Sequence, residues 1–162
     1  MTELNSPAKH RPDMHQHLLQ LMGQWQDAIQ AFDEAVANKL GLITAEHRCL
    51  KALMDGAKTA GQLAVASGLT PAAATSMIDR LEKRGFLERQ RDGTDRRKVL
   101  VAMTKPASDT LARFYKPLST ERTAMLARFS PADLSVIEKF VEGALALQQA
   151  HVERTENEPL SS

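Results

Sequence analysis

Residues 59–104 read TAGQLAVASGLTPAAATSMIDRLEKRGFLERQRDGTDRRKVLVAMT, and the order of local signals in them decides the fold. Thr59 and Gln62 have the Ser/Thr-x-x-Glu/Gln spacing of a capping box, which opens a short helix that Gly68 ends after Ser67. Thr70-Pro71 then supplies an N-cap and a first-turn proline for a further helix, predicted to run to Gly85 with Ala74, Met77, Ile78 and Leu81 turned inward. Phe86–Arg91 and Lys98–Met103 are strand candidates, and Asp92-Gly93 between them is a turn signal. Two helices joined by the tight Gly68-Leu69-Thr70 connection and followed by a hairpin make a winged helix-turn-helix.

Outward from this centre the chain is helical. Residues 1–12 are polar, with Pro7 and Pro12, and read as a flexible N-terminus. From Asp13 to Leu40 the apolar residues Leu18, Met22, Trp25, Ile29, Phe32, Val36 and Leu40 recur every three or four positions, and Gly41 stands where a helix ends. Leu21, Ala28 and Ala35 widen that stripe, so this helix has apolar surface for its own core and for a second subunit. Thr44 is expected to cap a second helix to about Gly56, burying His47 or its neighbours with Leu50, Leu53 and Met54. After the hairpin, Thr104 caps a fifth helix with the stripe Leu111, Phe114, Leu118, Met125, Phe129, in which Pro117 predicts a kink. Ser130-Pro131 starts a sixth helix with Leu134, Ile137, Val141, Ala144 and Leu145 on one side.

The expected fold class is mainly α with a small β-hairpin wing: a winged helix-turn-helix flanked by helical dimerisation elements. Residues 13–156 are read as one domain. Within it, 44–104 form the DNA-binding lobe, 13–40 and 105–156 the dimerisation helices, and 157–162 a flexible tail.

Composition limits the alternatives. With 162 residues, 43% of them hydrophobic and 25% charged, the chain has the make-up of one globular domain. No apolar run reaches the roughly 18 residues of a membrane span, and the N-terminus lacks the apolar core of a secretory signal. The single cysteine, Cys49, fits a reducing cytoplasm and excludes an internal disulfide. Net charge is only +1, yet between Asp79 and Lys98 eight basic residues face five acidic ones. A local positive patch on a near-neutral protein is the electrostatic footprint of a nucleic-acid contact.

The residues that would make that contact follow from the two motifs. Small side chains at the start of the fourth helix (Ala72, Ala73) let it sit deep in the major groove. Thr75 and Ser76 can bond base edges or phosphates, Arg80 can reach a guanine or a phosphate, and Thr70 lies at the positive end of the helix dipole. At the hairpin tip Arg91, Arg96 and Arg97 have the reach for the narrow minor groove, with Asp95 holding one arginine by a bidentate bridge. The sequence does not choose between Arg96 and Arg97.

Leu69-Thr-Pro71, Ile78-Asp-Arg-Leu-Glu82, Gly85-Phe86 and Asp95-Arg96-Arg97-Lys-Val-Leu-Val101 followed by Thr104 resemble the MarR family of bacterial transcription regulators. The resemblance implies a homodimer joined through the first, fifth and sixth helices, with two winged modules on a pseudo-palindromic double-stranded operator. It implies the fourth helix in the major groove and an arginine of Asp95-Arg96-Arg97 in the minor groove. It further implies repression relieved by a small, often phenolic, aromatic effector, in a pocket flanked here by Trp25, His47 and Arg48. Core packing for Trp25 and His47, and ion pairing for Arg48, are the plain alternatives. Some branches of the family sense oxidants through a cysteine at the start of the first helix. This chain has none there, and Cys49 reads as a small packing residue. His10, His15 and His17 do not make a metal site by themselves. No cofactor, metal or catalytic residue is expected.

Two other readings stand beside this one. A hydrolase using Cys49 and His47 conflicts with helix geometry, since residues two apart point about 200° from each other. A winged-helix scaffold that binds an acidic protein instead of DNA would use the same wing, with a shallower salt dependence.

Overall fold

The computed structural model describes residues 10–91, 93 and 99–159. Six helices and one hairpin follow in the order α1 (His10–Leu40), α2 (Thr44–Ala52), a 3-10 turn (Leu53–Asp55), α3 (Ala60–Ser67), α4 (Pro71–Lys83), β1 (Leu87–Arg91), β2 (Val99–Met103), α5 (Lys105–Leu126) and α6 (Pro131–Asn157). No helix among the described residues is long and apolar enough to cross a membrane. The chain divides into two compact units between Leu111 and Ala112, within α5.

In the first unit the core is built from every element. Leu50, Leu63, Met77, Ile78, Leu81, Val101 and Leu111 are all less than 2% exposed, and each such side chain contributes roughly 1.5–3 kcal/mol of burial free energy. All four inward positions predicted for α4 (Ala74, Met77, Ile78 and Leu81) are buried. Local caps fix the helix starts. Thr59 accepts from Gln62 N–H at 3.3 Å while the Gln62 side chain accepts from Thr59 N–H at 2.9 Å, the reciprocal pair read from sequence. Thr70 accepts from Ala73 N–H at 3.3 Å. Gly68, at φ 68°, turns the chain between α3 and α4 in the left-handed conformation that a side chain resists.

Antiparallel pairing of β1 and β2 runs from Leu87 opposite Met103 to Arg91 opposite Val99. The sequence did not announce a third participant. Lys58 bridges Val101, its N–H donating to Val101 O at 3.0 Å and Val101 N–H donating to Lys58 O at 2.8 Å. This extends the hairpin base by one short rung and anchors it beside α3. Thr104 closes the other side, its hydroxyl donating to Gly85 O at 2.7 Å and accepting from Ala107 N–H at 3.3 Å.

Several expected boundaries shift. α1 begins at His10, so helix takes in the end of the segment read as a flexible N-terminus. Pro12 falls in the first turn, where no intrahelical donor is required. Ile43, not Thr44, occupies the N-cap of α2, and Glu46 supplies the capping bond by accepting from Ile43 N–H at 3.1 Å. α2 ends at Ala52 and a 3-10 turn follows, leaving Met54 43% exposed instead of buried. α5 continues through Pro117 and stops at Leu126, so Phe129 lies beyond it.

The second unit comprises α5 from Ala112 onward and α6. Ser130 caps α6 reciprocally with Asp133: each backbone N–H donates to the other's side chain at 3.2 Å. None of the 27 residues of α6 is buried.

Candidate nucleic-acid interface

The sequence-predicted reading residues share one surface of α4. Thr70, Ala72, Ala73, Thr75, Ser76 and Arg80 are all exposed, while the opposite side of the helix is sealed by Ala74, Met77, Ile78 and Leu81. The hydroxyl of Thr75 donates to Pro71 O at 3.0 Å and that of Ser76 to Ala72 O at 3.2 Å. Their protons are thereby spent within the helix, and their outward lone pairs remain as acceptors. An acceptor flanked by alanine methyl groups can take a base amino group or a thymine methyl contact.

Charge on this lobe is organised by pairs that the sequence did not disclose. Arg80 Nε donates to Glu46 Oε1 at 2.8 Å, and Arg84 Nη1 to Glu46 Oε2 at 3.2 Å. Arg84 Nη2 also donates to Leu40 O at 3.3 Å and Gly41 O at 2.9 Å, and the guanidinium lies 5.0 Å over the Phe86 ring. Burial alone would raise the Glu46 pKa. The hydrogen bonds from Arg80 and Ile43, with the charges of Arg80 and Arg84, more than offset this and hold the carboxyl below its ordinary value. Arg89 on β1 donates to Asp79 Oδ1 at 2.5 Å and to Glu82, both on α4, which raises its own pKa. Three cations counted in the positive patch therefore tie α4 to its neighbours. Arg91 and Lys83 are exposed. Asp95, Arg96 and Arg97 lie outside the described residues.

The pocket expectation is partly corrected. A cavity of about 350 Å3 lies between α1 and α2, lined among others by Ile29, Gln30, Asp33, His47 and Arg48. Trp25 is not among its lining residues and is 56% exposed, so it packs neither in this core nor on this cavity. The α1 residue that sequence reasoning missed is Asp33, which accepts from Lys51 Nζ at 2.6 Å. An acidic residue on an apolar-striped helix was the available signal. Burial lowers the pKa of His47, with Asp33 opposing and Lys51 reinforcing the shift, so the ring is neutral near pH 7. Arg48 makes no ion pair among the described residues. Cys49 is fully buried, and burial together with the nearby Glu46 charge pushes its thiol up to about 11, which makes it a poor nucleophile.

This geometry has relatives. The family model described as MarR family matches residues 45–99. A curated relative, the uncharacterized HTH-type transcriptional regulator YcgE of Bacillus subtilis (strain 168), is 27% identical over 150 residues, 92% of this chain and 97% of that protein. Among solved structures, transcriptional regulator Tm0710 of Thermotoga maritima has a TM-score of 0.56 at 18% identity, over 85% of this chain and 98% of that one. RV1404 of Mycobacterium tuberculosis also has a TM-score of 0.56, at 24% identity, over 93% and 97% of the two chains. At such identities the likeness is one of fold. Over residues 45–99, the stretch that the MarR family model matches, the chain has two helices, a glycine turn, a capped helix with one exposed side and the first strand of the hairpin, which are elements of a winged helix-turn-helix.

Proposed function

We propose that the chain is a sequence-specific DNA-binding transcription regulator that works as a homodimer and represses until a small-molecule effector releases it. One observation carries the reading: within the MarR-matched segment, α4 buries one side completely and leaves the opposite, small-residue side exposed next to the hairpin. α4 enters the major groove, with Thr70, Ala72, Ala73, Thr75, Ser76 and Arg80 facing bases and phosphates. Arg91 and the Asp95-Arg96-Arg97 wing serve the minor groove. α1, α5 and α6 join two copies, a role supported by the exposed apolar residues Leu18, Leu21, Met125, Phe140 and Leu145. The cavity beside His47 and Arg48 is the effector site in this reading.

Selection of bound fragments from random duplexes supplies an operator, expected to be an imperfect inverted repeat with half-sites about one helical turn apart. Replacing Arg96 or Arg97 with alanine then weakens operator binding in anisotropy titrations by roughly 1–3 kcal/mol for the base-reading one. Undiminished affinity in both variants removes the wing from the mechanism. The internal pairing of Arg80, Arg84 and Arg89 favours a second reading, a winged-helix scaffold that does not bind DNA. For that scaffold no duplex is retained even at low salt, whereas a DNA regulator loses affinity steeply as salt rises.

A further inference from the structure

We infer that Glu46 is a positioning residue for Arg80, fixing one guanidinium on the reading surface of α4 so that its two terminal nitrogens meet DNA end-on. The inference rests on the DNA-binding reading above. Its foundation is an asymmetry between the two arginines that share the Glu46 carboxylate. The Glu46 side chain is 4% exposed, and its oxygens are occupied by Arg80 Nε, Arg84 Nη1 and Ile43 N–H. A buried carboxylate needs such partners, because unpaired it would lose its hydration with nothing in return.

Arg84 is consumed by the fold: it also holds two backbone carbonyls at the end of α1 and covers Phe86. Arg80 is not. Among the described residues only its Nε is engaged, at 2.8 Å, and its side chain stays 52% exposed. It follows Ala72 and Ser76 at four-residue intervals, hence on the same stripe of α4. With Nε committed, the side-on fork is closed and the Nη1/Nη2 pair is what remains. That pair grips two acceptors, either O6 and N7 of a guanine or two phosphate oxygens. Anchoring also removes rotamer freedom during folding, so less is lost on binding.

The test is a double-mutant cycle on the full-length protein, with fluorescein-labelled operator and an unrelated duplex of equal length as probes. Glu46→Ala is expected to weaken operator binding on the order of tenfold, and Glu46→Gln, which keeps an acceptor for Nε, to restore most of it. In an Arg80→Ala background Glu46→Ala is expected to have no further effect. A loss confined to the operator assigns a guanine, confirmed when 7-deazaguanine in the half-site reproduces it. A loss on both duplexes assigns a phosphate. An unchanged affinity in Glu46→Ala, or a loss that persists undiminished without Arg80, overturns the inference and leaves Glu46 as a packing element of the lobe. If Glu46→Ala melts below the assay temperature, Glu46→Met, which fills similar space without an acceptor, replaces it and must weaken operator binding only when Arg80 is present. Failure of the unmodified protein to bind any duplex would instead sink the DNA-binding reading itself.

Discussion

α4 and α6 solve the same problem in opposite ways. α4 has 13 residues and buries four of them; α6 has 27 and buries none. The difference does not lie in hydrophobicity. α6 carries Val136, Phe140, Val141, Leu145, Leu147 and Val152, each roughly half exposed or more. It lies in where partners come from. For α4 they come from α3 and β1 of its own unit, so its apolar side is satisfied once that unit folds. For α6 the unit supplies too little surface, and its apolar side chains stay open, as they would on a face that a second copy covers. The winged lobe is thus complete in one chain, whereas the outer helices are completed, in the homodimer we propose, by a second copy.

The largest expected effect strikes the pair. Phe140→Glu combined with Leu145→Glu is expected to convert the proposed dimer to a monomer in sedimentation at micromolar concentration. Each interface side chain counts twice under two-fold symmetry, so association should weaken on the order of a thousandfold or more. A doubly substituted protein that still sediments as a dimer would move the interface elsewhere and erase the contrast.

Next in size is the core of the lobe. Leu81 is fully buried, so Leu81→Ala leaves a cavity and should cost about 2–5 kcal/mol in urea unfolding. In the monomeric variant background, Val136→Ala on the exposed helix should stay within roughly 0.5 kcal/mol. Similar costs at the two positions would show that α6 is packed after all.

The smallest effect is pH dependence confined to the lobe. The folded-state pKa of His47 is lowered from 6.5, chiefly by burial, so the unfolded chain takes up its proton first. Stability is therefore fully present above about pH 6.5 and declines as pH falls through that value toward the lower folded one. Replacing His47 with glutamine should flatten unfolding free energies measured between pH 7.5 and pH 5.5. Parallel slopes for the two proteins would show that His47 does not carry this linkage.

Features legible in the sequence were those in which residues act on near neighbours. Thr59, Thr70 and Ser130 cap their helices through groups three positions away, and Gly68 turns the chain by itself. The burial of Ala74, Met77, Ile78 and Leu81 followed from spacing alone. Where a neighbour in space replaced a neighbour in sequence, the reading failed. Ile43 failed for a local reason, since its apolar side chain cannot accept and the capping bond comes from Glu46 three residues on. Trp25 was matched to a cavity that other positions on α1 line, and Arg89 was counted in the positive patch with no sign that Asp79 and Glu82 hold it.

Sequence by itself determined the helices, the caps of α3, α4 and α6, the hairpin and the exposed row on α4, because propensity, capping and periodicity operate within a few residues. Tertiary structure alone decided which charges are spent and which are offered. Glu46 meets Arg80 and Arg84 across 34 and 38 positions of chain, Lys58 meets Val101, and no local pattern encodes such meetings. The physical reason is that an ion pair depends on distance and burial, and both are set only when the elements pack.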